Sequence, residues 1–403
     1  MQNRLALGFI LITVTLDSIG IGLIFPVMPD LLEAVTGGSL AQAAIWGGVL
    51  STAFAVMQFV CGPVVGNLSD HFGRRPVLLV SLAVMAVNDL VMAMAGSVWL
   101  LLVGRIGAGI AAATQSAATA YAADISPPET RGRTFGLIGA GFGVGFVLGP
   151  LVGGLLATIG VRAPFYAAAL MAAANLAFGA LVLPESLAPG LRRPFQWARA
   201  NPLSALRAVG RLPGLGRLLT VFLVYSIAFY VWPAVWSFYG AAAFHWNAWM
   251  IGISLALFGA CMVLVQAVLI GPAIRILGES RAATLGMVID MLTFAFYGVV
   301  TSAVWALAFT PVSALGGLVT PALQSTMSRA TPADEQGALQ GVLASLGALS
   351  MILSPLIMTT TFSAFTAPGA PVHLPGAPFL LSAALMVVCV ALHVAPSRET
   401  RAT

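Results

Sequence analysis

Apolar residues in this chain run in blocks of about 20, the length an α-helix needs to cross ~30 Å of hydrocarbon at ~1.5 Å per residue. Twelve such blocks can be placed. They lie at 5–28, 44–66, 77–95, 98–122, 134–158 and 163–183 in the first half, and at 218–240, 248–270, 282–302, 304–328, 336–362 and 376–395 in the second. Residues 184–217 break the pattern with Pro184, Pro194, Pro202 and Pro213 and with Arg192, Arg193, Arg199, Arg207, Arg211 and Arg217. They read as a basic linker between an N-terminal six-helix bundle over 1–183 and a C-terminal one over 218–403. The first block follows a single basic residue, Arg4, but it is long, carries Asp17 at its middle and lacks a small-residue cleavage site. It is therefore expected to stay as a first helix and not to leave as a signal peptide.

Composition removes the soluble alternatives. Of 403 residues, 59% are hydrophobic and 8% charged, against roughly 25% charged in soluble domains. Most of the outer surface must then face lipid, giving an all-α membrane protein. The pI of 9.6 describes loops and not a nucleic-acid groove. All 18 basic residues are arginine, and their placement carries topology because loops rich in arginine stay on the cytoplasmic side. With both termini cytoplasmic, 16 arginines fall inside and only Arg162 in an outside loop, Arg105 being within a helix. Cys61, Cys261 and Cys389 lie far apart inside apolar blocks, and His71, His245, His373 and His393 are scattered. No metal site, nucleophile motif or disulfide framework follows, so no enzyme is expected.

The chain also repeats itself. An offset of 205 residues carries Gly66 and Gly73 onto Gly271 and Gly278, Pro127 and Gly132 onto Pro332 and Gly337, and Pro150 onto Pro355. Two parallel, pseudo-symmetric halves of six helices are the layout of the major facilitator fold.

Three motifs sharpen this. The stretch Gly66-Asn-Leu-Ser-Asp70-His-Phe-Gly73-Arg74-Arg75 resembles the signature loop between helices 2 and 3 of the major facilitator superfamily. Arg105-x-x-x-Gly109 is similar to a helix 4 pattern of that superfamily, and Gly145-x-x-x-Gly149-Pro150-x-x-Gly153-Gly154 resembles the helix 5 signature of its proton-coupled antiporters. Helix 1, from Leu16-Asp17 through Gly20, Gly22 and Pro26 to Pro29, resembles the twelve-helix tetracycline efflux proteins of the drug:proton antiporter group. The likeness continues through Gln58 and Asp89, covers most of residues 5–185, and returns at Asp290. His71 stands where that family usually has arginine, and Cys261 and Met262 stand near a helix 8 histidine of its well-known members.

The resemblance implies a proton-coupled antiporter that exports an amphipathic drug-like compound, tetracycline or a related antibiotic, by alternating access. It implies a bacterial inner membrane location, a monomer, and no cofactor beyond the proton gradient, the cargo itself able to carry a divalent cation. A proton-coupled exporter or symporter of a sugar or organic acid is the alternative reading. Its symport form is opposed by helix 5.

The residues offer a mechanism of their own. Asp17, Asp89, Arg105 and Asp290 lie inside predicted helices, where each charge costs about 2.5–3.5 kcal/mol on insertion scales unless it faces water or a partner. An ion pair of Asp17 with Arg105 is one possibility, yet three acids share one base. Loss of hydration favours the neutral carboxyl, so at least one aspartate is expected to hold a proton that a cationic cargo can replace. Asp17 and Asp290 are expected to alternate between proton and cargo, with Asp89 lining the path and Arg105 tuning Asp17. Gln58 and Gln115 either bond neighbouring backbone or meet the cargo. Tyr225, Tyr230, Trp232, Trp236, Phe238 and Tyr239 form either an interfacial belt or a cavity wall.

The resemblance implies that the loop after helix 2 latches the cytoplasmic side, a role Asp70 can fill at the N-terminus of helix 11, just after Pro332, with Arg74 and Arg131 as its local charge partners. The glycines of helix 5 are expected to admit helix 8 closely, with Pro150 supplying a bend.

Overall fold

The computed structural model describes residues 2–112, 115–127, 129–197, 201, 212 and 214–395. Pro202, Pro213, Arg199, Arg207, Arg211, Arg398 and Arg401 lie outside the described residues, as do the side chains of Arg4 and Gln115. Among the described residues there is no strand. Twelve helices are long and apolar enough to cross a membrane. They are α1 Ala6–Thr36, α2 Leu40–Phe72, α3 Arg74–Met94, α4 Val98–Ile125, α5 Arg131–Ala157 and α6 Ala163–Val182 in the first half. In the second they are α7 Gly216–Phe244, α8 Ala248–Leu277, α9 Glu279–Val299, α10 Ala303–Arg329, α11 Ala333–Thr366 and α12 Ala377–Val394. All twelve expected spans are present.

Several helices outrun their apolar blocks, and local chemistry says why. α1 continues past Pro26 because that proline sits in a tight 3-10 turn, Phe25–Val27, at a position where its missing N–H costs nothing. It stops at Gly37, whose φ of 63° no branched side chain would adopt readily. α2 begins at Ser39, whose hydroxyl accepts the Gln42 N–H at 3.4 Å. It ends at Gly73, with φ 106° and ψ 162°. Its repeat partner Gly278 ends α8 with φ 76° and ψ 163°. The internal repeat thus extends to a backbone conformation that favours glycine in both halves.

The chain divides into two compact units, one of Met1–Pro202 with Trp246–Gly259, the other of Leu203–His245 with Ala260–Thr403. In the first, α5 packs along α1 through its glycines. A Cβ at Gly149 would lie 2.7 Å from the Ile19 carbonyl oxygen and 2.8 Å from Gly22 Cα, and one at Gly145 would lie 2.7 Å from the Thr15 carbonyl oxygen. Backbone on backbone at this distance is possible only without side chains. Gly154 serves the start of α8 instead, its added Cβ falling 3.1 Å from Trp249 Cα and 3.3 Å from Gly252 Cα. Helix 5 therefore does approach helix 8, as expected, but Gly141, Gly145, Gly149 and Gly153 serve α1.

The outside arginine also has a local role. Arg162 donates to the carbonyls of Ala93 at 3.2 Å and Ala95 at 2.9 Å, satisfying the C-terminal end of α3.

The second unit is built around aromatic rings. Trp232 lies 5.2 Å from Trp236, 5.2 Å from Tyr297 and 5.3 Å from Phe379 between ring centroids, and Tyr239 lies 4.9 Å from Phe379. These rings are buried. Neither an interfacial belt nor a cavity wall describes Trp232, Trp236 and Tyr239; they are the packed core where α7, α9 and α12 meet, at spacings that favour tilted and edge-on contacts.

Candidate functional site

Asp17 stands on the stripe of α1 that carries Thr13 and Ile21 at intervals of four residues, so that all three share one face. This face, with Gln58 of α2, Ser81 and Met85 of α3 and Phe142 of α5, lines a cavity of about 70 Å³ inside the first unit. The opposite face of α1 is held against α5 by the glycine contacts, which fixes the rotation of the helix. Asp17 has no hydrogen-bond or ion-pair partner among the described residues. Its neighbours Thr13 and Ser18 direct their hydroxyl protons away, to Asn175 Oδ1 at 3.2 Å and to the Val14 carbonyl at 2.7 Å.

Asp89 sits on α3 and is 5% exposed, outside the lining of that cavity. Asn88, its neighbour on α3, and Arg105 on α4 are the polar side chains that bear on its carboxyl group. Arg105 lies within 3.5 Å of Met28 Sδ through Nη2, and its Nε is buried without a partner. Among the described residues no salt bridge joins Arg105 to Asp17, and the acid whose charge bears on Arg105 is Asp89.

Asp290 is at the centre of the second unit, 0% exposed, with both carboxyl oxygens unpartnered. Its carboxyl group rests against Gly316 of α10, where a Cβ would collide with it. Thr293, one turn along α9, is also fully buried with its hydroxyl unpartnered. The Tyr225 hydroxyl donates to the Gly316 carbonyl at 3.3 Å, closing this polar spot from the α7 side.

At the α2–α3 loop the signature residues form a charge network. Arg74 pairs with Asp70 at 2.6 Å and with Asp124 at the end of α4 at 3.3 Å, and it donates to Ser69 Oγ at 3.1 Å. Glu185, just past α6, accepts the backbone N–H groups of Arg74 at 2.9 Å and Arg75 at 3.2 Å, an acidic group at a helix N-terminus. A side chain at Gly73 would run into that carboxylate as well as being strained by its φ. The linker folds back over the same loop. The Arg193 N–H donates to the Asp70 carbonyl at 3.1 Å, the His71 ring lies 3.1 Å from the Arg193 carbonyl, and Asn67 donates to the Gln196 carbonyl at 2.7 Å. Arg131 is exposed at the start of α5 and joins no ion pair among the described residues. Space is open around Gly66, where a Cβ would approach only Ser116 at 3.8 Å, so packing in this structure does not explain that glycine.

Membrane helices with partnerless acids and this loop network can be set beside known proteins. The Major Facilitator Superfamily model matches residues 10–355. The chain belongs to the Major Facilitator Superfamily. It is 43% identical to the tetracycline resistance protein, class C, of Escherichia coli, over 97% of this chain and 96% of that one. It is 38% identical to the class G protein of Vibrio anguillarum, over 94% and 95%. Among solved structures, the human organic anion transporter MFSD10 matches with a TM-score of 0.70 and 25% identity, over 98% of this chain and 100% of that one. The nucleoside transporter NupG matches with a TM-score of 0.78 over 98% and 100%; at 12% identity that likeness is one of fold. Like these relatives, this superfamily member is a multi-pass membrane protein.

Within this superfamily member, the cavity brings Asp17 and Gln58 together. Asp89 pairs electrostatically with Arg105, Asp290 is enclosed by its own unit, and Gln115 lies in α4 with its side chain undescribed. Reading the sequence missed Asp124, Glu185, Ser69, Gly316 and Thr293. Asp124 and Glu185 carried a signal, each being an acid at the end of an apolar block. Gly316 carried none, because its role is to leave room for an aspartate 26 residues away in the chain.

Proposed function

We propose that this chain is a proton-coupled antiporter that exports an amphipathic, drug-like compound, tetracycline or a related antibiotic, by alternating access. The observation that carries the reading is Asp17, a carboxyl group without a partner among the described residues, on the wall of a cavity inside a membrane span. Oxygens in that position can hold a proton or a cationic cargo, and each excludes the other. A charge crossing the membrane gains about 2.3 kcal/mol per 100 mV, enough to drive export when proton entry and cargo exit share one group.

Asp290 supplies the second acid. It is fully buried in a membrane span, where a charge costs several kcal/mol unless a partner joins it. Similarity to tetracycline resistance proteins over nearly the whole chain supports the cargo class. The cargo, as a cation or a chelate of a divalent cation, suits an acid-lined wall. An organic anion, the cargo named for the human relative, would meet repulsion from Asp17. The arginine-rich linker and loops support cytoplasmic termini in a bacterial inner membrane. The protein works as a monomeric transporter and not as an enzyme.

Growth of bacteria expressing the chain, measured against tetracycline with and without a proton uncoupler, tests this. Protection of at least about tenfold that vanishes with the uncoupler is expected. Absence of protection removes the cargo assignment, and protection that survives the uncoupler removes proton coupling.

A further inference from the structure

The 205-residue repeat carries Arg74 onto Glu279, Asp124 onto Arg329 and Asp70 onto Arg275. All three charges are reversed in the second unit, yet the tie between neighbouring helices survives. Arg74 meets Asp124 at 3.3 Å between α3 and α4, and Arg329 Nε meets Glu279 at 2.9 Å between α10 and α9. Ser325, one turn before Arg329 on α10, also donates to the Glu279 carboxylate. Arg275 and Arg281 join no ion pair among the described residues, so Arg329 is the cation that Glu279 holds.

This pair closes a seam that leads to Asp290. Glu279 and Asp290 are 11 residues apart, three turns of α9, and so share a face. Along that face Asp290 rests on Gly316, a Cβ at Gly286 would lie 2.6 Å from Val319 Cγ2, and Glu279 meets Ser325 and Arg329. The α10 partners advance as α9 runs back, which makes one antiparallel contact from the sealed acid to the start of α9. Every buried residue of α9 between Glu279 and Asp290, and of α10 between Gly316 and Arg329, is apolar. A proton has no carrier there while the helices stay in contact.

The Glu279 side chain is 10% exposed and that of Arg329 77%. An ion pair this open to solvent adds little to stability. Without Arg329, however, the enclosed carboxylate would lose its countercharge and draw water into the end of the seam. We propose that Glu279 and Arg329 lock the cytoplasmic end of the α9–α10 seam, a positioning pair that keeps the proton of Asp290 from leaking along it. The assignment rests on the reading of Asp290 as the coupling acid and deepens it: release of that proton to the cytoplasm requires the pair to part. The lock needs opposite charges and not their order, since the first unit makes the same tie with the signs exchanged.

Proton entry into proteoliposomes that hold the full-length protein and a pH-sensitive dye, with no cargo present, tests this. Glu279→Gln and Arg329→Gln are each expected to raise the leak about tenfold. Adding Asp290→Asn to either is expected to return it to the unaltered level. Exchanging the charges, Glu279→Arg with Arg329→Glu, is expected to bring it within about twofold of that level. Unfolding temperature in detergent shows that each protein compared is folded, and the exposed Arg329 carries the test alone if Glu279→Gln does not fold. An unchanged leak in Arg329→Gln, a leak that survives Asp290→Asn, or a folded exchanged pair that still leaks overturns the proposal. Tetracycline protection by the unaltered protein together with an unchanged leak in Arg329→Gln overturns the lock and leaves the export reading intact. A leak that depends on Asp290 in a protein that gives no tetracycline protection upholds the lock and overturns the cargo assignment.

Discussion

Asp17 and Asp290 are the same residue in two different settings. Asp17 lines a cavity and is reached from it. Asp290 is sealed, 0% exposed, and held between α9 and a glycine of α10 that leaves room for a carboxyl group and nothing more. The first site can exchange its occupant without moving the protein. The second can do so only if α9 and α10 shift, so its proton is tied to a conformational step. The contrast teaches that two buried acids in one transporter can divide the work, one placed to select and the other to couple.

The largest expected effect tests the sealed acid. Asp290→Asn keeps the volume and removes the ionisable proton, and proton-driven uptake into everted vesicles should fall by about a hundredfold. Heat stability in detergent should hold or rise, since an unpartnered buried acid has been removed. Uptake that persists would place the coupling elsewhere and erase the contrast. Asp17→Asn should reduce uptake of a cationic drug by about tenfold, with a loss of affinity in equilibrium binding that Asp290→Asn does not share. If both variants lose binding alike, the two acids act as one site.

Gly316→Ala sharpens the same point from the other side. The added methyl meets the Asp290 carboxyl group directly, and overpacking of this kind costs about 1–3 kcal/mol, read as a lower unfolding temperature that Asp290→Ala should partly restore. In the first unit, Gly149→Ala should cost a similar amount, about 1–3 kcal/mol, because its Cβ would press on α1. Gly139→Ala, with nothing within 4 Å of the new atom, should be neutral; equal effects would mean that the α1–α5 contact is not what the glycines serve. The smallest change is expected from Glu185→Gln, which weakens two N–H contacts at the start of α3 at a cost of about 1 kcal/mol.

Much of the fold was legible because the membrane imposes a simple rule. A run of apolar residues long enough to cross must be a helix, since no water is present to satisfy its backbone. The twelve spans followed from that rule, and the 205-residue repeat paired Gly73 with Gly278, though both helices run on to these glycines beyond the ends the apolar blocks gave. The acids were legible too, since a charge in such a run is expensive and needs a reason. Their partners were not. Arg105 was matched to Asp17 on paper, whereas in the structure the acid whose charge bears on it is Asp89. The aromatic residues of α7 were read as belt or cavity wall because hydropathy cannot say which face of an apolar helix meets protein and which meets lipid.

What the order of residues determined by itself is the number of helices and which of them carry an ionisable group, because each depends on neighbours within a few turns of the same helix. What tertiary structure alone decided is the company each acid keeps: a cavity for Asp17, Asn88 and Arg105 for Asp89, a glycine and a closed core for Asp290. The physical reason is that these settings are made by side chains, or by their absence, on helices distant in the chain. A glycine that admits a carboxyl group acquires that meaning only when two helices come into contact.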